Sequence, residues 1–306
     1  MNRVLLIAAF LFSLCVPASS QFNGCPAGFC APVSSGGVSY QGPGDIVSGA
    51  IAFYSCRAYK AASTGTKAYR VQRASDSTQA DVSSLPTGLC DTATPAAFCA
   101  STTCLIVEWY DQSGANACGS APCHMTPNTV STNSPNWSSS SLNGWPCAGG
   151  VMAAALQNVT GITQALPFTV TAVGERTGNF TAAARVFSSN AANANFGWRT
   201  SANTVGVVSG LITATASDSA FHALISVQNT SSSVSAIVVD GTATTGTVTL
   251  SALSSSIYFL SDNDAGFNNL EAGEMCEAGI WPIAFTSTQY GNMNTNMHSA
   301  TYGWNF

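Results

Sequence analysis

Carboxylate side chains are the residues of this sequence best suited to chemistry, and they are few. The chain has 306 residues and only 14 Asp and Glu. Glycoside hydrolysis needs two carboxyl groups, one that protonates the leaving oxygen and one that attacks or activates water. Asp262 and Asp264 lie in YFLSDNDAG, just past a predicted strand, in a loop of the kind that commonly carries function. A polar turn and a cation-binding loop are the alternatives for this segment.

The remaining carboxylates divide between open and structural interpretations. Glu175, in VGERTG, lies at a predicted strand end, and its role stays open. Glu274 and Glu277 lie in EAGEMCEAGIWP, the last predicted strand, where a structural role is favoured over function. Glu108 is expected to face solvent. Asp111 begins the turn DQSG, where its carboxylate can bond backbone amides two residues further on.

Other catalytic classes find little support. The chain has no GxSxG nucleophile elbow, and its three histidines have no matched Ser and Asp setting for a hydrolase triad. No HExxH or other metal-ligand cluster is present, so neither a metal nor another cofactor is expected. We expect His222 to start a strand and pack on the sheet. Asp240 and Gly241 are expected to form a hairpin turn that needs positive φ.

The elements that must position these side chains are predicted to be strands. Apolar alternating segments recur at short intervals and are separated by Gly, Asn, Asp and Ser turns, which predicts an all-β antiparallel β-sandwich. The hairpin at 221–244 resembles those of laminin-G-like and concanavalin A-like jelly rolls. The stretch 45–62 is either helical or a strand followed by a short helix. The polar stretch NWSSSSLNGWP, 136–146, is interpreted as a surface loop.

The N-terminus has the pattern of an export signal. Arg3 supplies the positive start, VLLIAAFLFSLCV a short apolar core, and ASS the small residues before Gln21. We therefore predict a signal peptide at 1–20 and a single secreted or extracytoplasmic domain at 21–306, with an irregular N-terminal segment rich in Gly, Pro and Ser. No membrane association is expected once the signal is removed.

Cysteine usage predicts a disulfide-stapled fold. Of the 11 cysteines, Cys15 lies in the signal, which leaves an even number in an exported chain. Three pairs share one spacing, and each would close a small loop: Cys25 and Cys30, Cys99 and Cys104, Cys118 and Cys123. The other four allow three pairings, among which the sequence does not choose: Cys56, Cys90, Cys147 and Cys276.

Charge narrows the class of partner. The formal net charge is −5, and the chain has no basic cluster, which argues against nucleic acid and against anionic membranes. Only 8% of the residues are charged. Carboxylates and amides that bond hydroxyl groups, together with aromatic faces that stack on sugar rings, favour a glycan as the partner.

Three stretches resemble the catalytic domain of glycoside hydrolase family 54, the secreted α-L-arabinofuranosidases of the arabinofuranosidase B type. These stretches are GPGDIVSGAIAFYSCRAY, YRVQRASDSTQADV and FCASTTCLIVEWYDQSG, within about residues 42–114. A weaker likeness continues around YFLSDNDAG and MCEAGI. The resemblance implies a concanavalin-like sandwich, a Cys99–Cys104 disulfide, and removal of terminal arabinofuranose from hemicellulose or pectin side chains with retention of configuration.

The resemblance also suggests roles for individual residues. The family's acid/base Asp follows a late strand, and Asp262 of SDND is the matching position. The family's nucleophilic Glu has no counterpart in the comparable stretch RTSANTVGVVSG, so Glu175 and Glu277 are the candidates. The residues predicted to bind substrate are Asn263, Asp264 and Trp198. The alternative function is a non-catalytic glycan-binding or surface-adhesion sandwich that has kept the fold and lost the nucleophile.

Overall fold

Two antiparallel β-sheets build this protein in its computed structural model, and residues 39–306 form one compact unit. The structure describes residues 39–127, 130, 134–150, 156–158, 161–177, 185–189, 196–198, 203–207, 212–230, 233–253, 256–259 and 273–306. Several predictions therefore fall outside the described residues: the signal peptide, Cys25, Cys30, Asp262, Asn263 and Asp264.

The larger sheet contains eleven strands. They are β1 (Ala52–Ser55), β2 (Lys67–Arg73), β3 (Gln79–Ser83), β4 (Cys104–Trp109), β5 (Asn136–Leu142), β6 (Trp145–Gly150), β8 (Phe168–Arg176), β13 (His222–Gln228), β14 (Ser235–Val239), β15 (Thr242–Gly246) and β17 (Gly273–Trp281). Their order is β15-β14-β13-β8-β17-β6-β5-β4-β2-β3, and β1 also pairs with β17. One edge of β17 is thus shared between β6 and β1.

The smaller sheet contains six strands in the order β12-β11-β10-β9-β16-β7. They are β7 (Leu156–Asn158), β9 (Arg185–Ser189), β10 (Phe196–Trp198), β11 (Thr204–Val207), β12 (Ile212–Thr215) and β16 (Ile257–Phe259). The rings of Tyr54 on β1 and Phe259 on β16 meet edge to face, with centroids 5.5 Å apart. This contact joins the two sheets across the core and confirms the predicted all-β sandwich.

Short helices complete the described fold. They are α1 (Pro43–Ile46), a 3₁₀ turn (Ala61–Ser63), α2 (Ala93–Phe98) and α3 (Ser287–Met297). Within 45–62, β1 and the 3₁₀ turn match the prediction of a strand followed by a short helix. The sequence did not predict α3, whose residues are mostly polar. Its start is nevertheless capped, because Thr286 Oγ1 accepts from the Gln289 N–H and the Gln289 side chain bonds back.

The polar stretch 136–146 is a hairpin, so its interpretation as a surface loop was wrong. Strands β5 and β6 pair with each other, and Asn143 and Gly144 form the turn between them with φ of +53° and +80°. An Asn-Gly pair suits such a turn because both positions need positive φ. The consecutive serines hid the strand, since they give no apolar alternation.

Disulfides tie neighbouring parts of the larger sheet together. The predicted pairs Cys99–Cys104 and Cys118–Cys123 are both present. The structure also selects Cys56–Cys90 and Cys147–Cys276 from the three pairings that the sequence left open. The last of these links β6 to β17, the two strands that support the cavity described below.

Candidate carboxylate-lined cavity

A cavity of about 410 Å³ opens on the larger sheet, where β8 ends and β17 begins. The described residues that line it are Thr103, Asn136, Trp137, Ser138, Gly149, Glu175, Thr177, Gly273 and Glu274. Its size lies in the range of small-molecule sites, which are typically about 300–1,000 Å³. Of the predicted catalytic residues, Glu175 lies in this wall.

Strand register places four of these residues in one row across the sheet. Asn136 on β5 pairs with Gly149 on β6, and Gly149 pairs with Glu274 on β17. Glu274 in turn pairs with Glu175 on β8. Because directly opposite residues of an antiparallel pair project to the same face, the two carboxylates are close neighbours. The row presents two carboxylates and one amide to the cavity.

The two carboxylates differ in their surroundings. Partial burial, and then the neighbouring charge of Glu274, raise the pKa of Glu175 above its ordinary value. Like charges directly opposite on a sheet are destabilising, and a carboxyl group that takes up a proton relieves the repulsion. Glycoside hydrolysis needs one carboxyl group that donates a proton, and a raised pKa suits Glu175 to that role.

Gly149 gives the Glu274 carboxylate its space. A Cβ atom at position 149 would lie 3.3 Å from Glu274 Oε1, which is a tight contact. The flat glycine surface thus allows the Glu274 side chain to lie over β6. Any larger residue at this position must push the carboxylate away.

Trp137 forms an aromatic wall of the cavity. Its ring is half-buried, and its indole N–H donates to the Tyr69 hydroxyl across 3.1 Å. Tyr69 is itself buried. This bond fixes the orientation of the indole, which leaves an aromatic face beside the carboxylates.

Glu277 lies in a different environment from the cavity residues. Its carboxylate is fully buried and forms a two-point ion pair with fully buried Arg57, at 2.6 Å from Nε and 2.8 Å from Nη2. The Trp304 indole N–H donates to the same carboxylate across 3.2 Å, and Arg57 Nη1 donates to the Tyr302 carbonyl. Glu277 therefore joins the C-terminal segment to β17 and to the loop after β1.

The other predicted site residue of the described chain is Trp198. It ends β10 in the smaller sheet, and the structure does not describe its side chain. The structural interpretation of Asp111 is confirmed, because its carboxylate accepts from the N–H groups of Phe53, Ser113 and Cys123. Glu108 forms an ion pair with Arg70 at the surface.

Asp240 links the β14–β15 turn to two histidines. Its φ is +47° and that of Gly241 is +84°, which confirms the predicted hairpin turn. Asp240 Oδ2 lies 2.6 Å from His222 Nδ1, and Oδ1 lies 3.5 Å from His298 Nε2. Ser217 Oγ lies 3.1 Å from His222 Nε2, but the Ser217 carbonyl oxygen is closer, at 3.0 Å. We interpret this Asp240 cluster as a structural clasp between the hairpin, the β12–β13 loop and the end of α3.

Charge coupling stabilises the ionised forms within this clasp. Burial lowers the pKa of His222, but the hydrogen bond and charge of Asp240 outweigh burial and raise it. The bond to Asp240 also raises the pKa of His298. Burial raises the pKa of Asp240, and the bonds from the two histidines more than reverse this, so its pKa lies well below the usual range.

Two absences concern the described residues, one of a metal-ligand group and one of a membrane-spanning helix. Within the ranges given above, no group of three or more His, Cys, Asp or Glu side chains is placed to hold a metal ion. The helices of the described chain are also too short or too polar to cross a membrane.

Fold and cavity together define a disulfide-stapled β-sandwich with a carboxylate-lined site. Residues 45–144 match the family model described as "Alpha-L-arabinofuranosidase B, catalytic". A probable α-L-arabinofuranosidase B of Aspergillus flavus is 42% identical over 88 residues, which are 27% of this chain and 17% of that protein. An α-L-arabinofuranosidase of Hypocrea jecorina is 40% identical over 87 residues, with the same coverage of each chain. These matches confirm the resemblance to the arabinofuranosidase B family.

Solved structures extend the likeness in fold beyond the matched segment. A mutant of a family 54 α-L-arabinofuranosidase soaked with 4-nitrophenyl α-L-arabinofuranoside superposes with a TM-score of 0.65 at 18% identity, covering 83% of this chain and 64% of that chain. An arabinofuranosidase complexed with arabinofuranosyl-α-1,2-xylobiose gives a TM-score of 0.60 with the same identity and coverage. The sandwich fold is thus shared. The chain covers 17% of its curated relatives by sequence and 64% of these structures.

Proposed function

We propose that this protein is a secreted glycoside hydrolase that removes terminal α-L-arabinofuranosyl groups from hemicellulose or pectin side chains. One observation carries the proposal, namely the make-up of the 410 Å³ cavity wall. Thr103, Asn136 and Trp137 come from the segment that matches the arabinofuranosidase B model. Glu175 and Glu274 come from two other strands of the same sheet. The homologous segment and a carboxylate pair therefore meet in one cavity.

We assign the carboxylate pair to a retaining mechanism, which uses two carboxyl groups about 5–5.5 Å apart. Strand register supports this assignment, because Glu175 and Glu274 lie directly opposite each other and both line the cavity. In this mechanism Glu175, with its raised pKa, gives its proton to the leaving oxygen as the glycosidic C–O bond breaks. Glu274, as the nucleophile, attacks the anomeric carbon through a carboxylate oxygen. Water then hydrolyses the glycosyl–enzyme ester, Glu274 leaves as a carboxylate, and the proton of the water returns to Glu175.

The family resemblance supports a second division of roles, in which Asp262 is the acid/base and Glu175 is the nucleophile. Asp262 belongs to the segment 260–272, which leads directly into Gly273 of the cavity wall. Glu277 is the least favoured nucleophile, because its carboxylate is enclosed and committed to Arg57. The proposed substrate-binding residues are Asn263, Asp264 and Trp198.

Turnover of 4-nitrophenyl α-L-arabinofuranoside by residues 21–306 tests these assignments. Glu175→Gln is expected to lower kcat by a factor of about 10²–10⁴, the usual contribution of a positioned acid or base. Loss of turnover in Glu274→Gln but not in Asp262→Asn supports the first division of roles, and the reverse result supports the second. Glu277→Gln is the control, and it is expected to keep its turnover per folded molecule.

A binding function without catalysis is the second candidate, and one observation favours it. The stretch RTSANTVGVVSG, comparable to the family's nucleophile segment, contains no carboxylate. In that case the cavity binds an arabinose-containing polysaccharide or another glycan through hydroxyl bonds to its carboxylates and amide. Binding of arabinan or arabinoxylan with no release of 4-nitrophenol would select this function.

Secretion is part of the same proposal. Disulfides persist in oxidising compartments, and all eight cysteines of the described residues are paired. The residues predicted as a signal peptide, 1–20, have the export pattern. Detection of the protein in the culture medium, with Gln21 at its N-terminus, checks both expectations.

A further inference from the structure

A second cavity of about 370 Å³ adjoins the carboxylate-lined cavity. It is lined by Ala96, Cys99, Thr102, Thr103, Cys104 and Trp137. Thr103 and Trp137 also line the first cavity, so the two cavities share a wall. The two cavities therefore meet at Thr103 and Trp137, and the carboxylate pair lines the first while the Cys99–Cys104 disulfide lines the second.

The second cavity is built differently from the first. Among the described residues that line it, none has an ionisable side chain, since both cysteines form the disulfide, and the side chains with a hydroxyl group are Thr102 and Thr103. The disulfide closes the loop between α2 and β4, and both of its cysteines are buried. The Thr102 hydroxyl accepts from the Ser75 N–H and donates to the Thr103 carbonyl, which holds the same loop to the β2–β3 turn. The described lining thus combines a disulfide and threonine hydroxyls with the aromatic ring of Trp137.

We propose that this second cavity binds the neighbouring, neutral sugar of an oligosaccharide or polysaccharide substrate, and that Trp137 separates the two sugar positions. The inference rests on the proposed function and specifies its substrate. Because the acid and the nucleophile lie in the first cavity, the terminal sugar that is removed must occupy that cavity. The rest of the substrate must leave it, and the second cavity lies next to it, at the shared residues Thr103 and Trp137. The protein therefore prefers a branch attached to a chain of sugars over a simple glycoside.

Ala96 allows the second cavity to be filled without touching the first. It is exposed on α2 and lines the second cavity, whereas its exposed neighbour Ala97 lines neither. Ala96→Trp is expected to weaken binding of xylobiose, measured by titration calorimetry or NMR, at least tenfold. It is also expected to lower kcat/KM for arabinofuranosyl-α-1,2-xylobiose about ten times more than kcat/KM for 4-nitrophenyl α-L-arabinofuranoside. Ala97→Trp is the matched control and should change neither substrate's values.

The outcomes separate this inference from the proposed function. Equal losses on both substrates in Ala96→Trp, or no loss on either, overturn the second sugar position even if the enzyme is active. If the wild-type chain hydrolyses neither substrate, the proposed function fails, and xylobiose binding still decides the inference. The second sugar position is supported if the wild type binds xylobiose, Ala96→Trp weakens this binding and Ala97→Trp leaves it unchanged. It is overturned if the wild type does not bind xylobiose.

Discussion

Replacing Glu277 by Gln is expected to destabilise the protein strongly while leaving its chemistry intact. The substitution keeps the size of the side chain and its bond from the Trp304 indole, but it removes the charge that balances Arg57. Both partners are fully buried, and breaking such a pair on one side costs about 3–5 kcal/mol. At about 2.1 cal/mol/K of unfolding entropy per residue, the compact unit 39–306 loses roughly 1.8 °C per kcal/mol, so the expected fall in Tm is about 5–9 °C.

Differential scanning calorimetry of the oxidised protein measures this change, and a double variant checks its cause. Arg57→Met combined with Glu277→Gln removes both charges, so it should recover most of the stability lost in either single variant. Turnover is measured well below the lowered Tm and is expressed per folded molecule. A Glu277→Gln protein with unchanged Tm and abolished turnover would refute the structural role and make Glu277 the nucleophile.

Two further predictions concern the Asp240 clasp and Gly149. The raised pKa values of His222 and His298 add stability below about pH 6.5, and this stability is lost as the pH rises through the pKa values of the folded protein. The lowered pKa of Asp240 adds stability above about pH 4, and this stability is lost as the pH falls further. Asp240→Asn is a suitable variant because Asn tolerates positive φ. The Tm difference between this variant and the wild type should be largest near pH 5 and smaller at pH 8. A difference that does not change with pH would contradict the proposed ion pairing within the Asp240 clasp. Gly149→Ala crowds Glu274, the proposed nucleophile, so we expect at least a tenfold loss of turnover on the nitrophenyl substrate with a Tm change of only about 3 °C or less. Full activity would show that Glu274 is not needed.

The strands were largely predictable because their cause is local. Alternation in KAYRVQR and the apolar run CLIVEW give β2 and β4, and the Asp240-Gly241 pair gives the β14–β15 turn. The hairpin at 136–150 was missed because serines fill β5, although its Asn-Gly turn was a usable signal. Helix α3 was missed because its residues show little apolar periodicity. Its stability comes from capping and from the packing of Met293 and Met297 into the core.

The candidate site was less predictable, because it depends on register between distant strands. Nothing in VGERTG or EAGEMCEAGIWP shows that Glu175 lies opposite Glu274. The same limit applies to Glu277, whose partner Arg57 is brought close by the pairing of β1 with β17. Trp137 carried no signal either, since it was assigned to a loop. Glu175 was thus predicted as a candidate from the sequence. The sequence did not show that Glu274, Gly149 and Trp137 form a cavity around it.

Hydrolysis of terminal α-L-arabinofuranosides in the Glu175–Glu274 cavity, as proposed above, can be decided by one comparison of turnover. Release of 4-nitrophenol from 4-nitrophenyl α-L-arabinofuranoside is compared between the wild-type chain and Glu175→Gln, with both proteins shown to be folded by their Tm. We expect turnover by the wild type and a loss of at least a hundredfold in the variant. No turnover by the folded wild type, or equal turnover by both proteins, would contradict it.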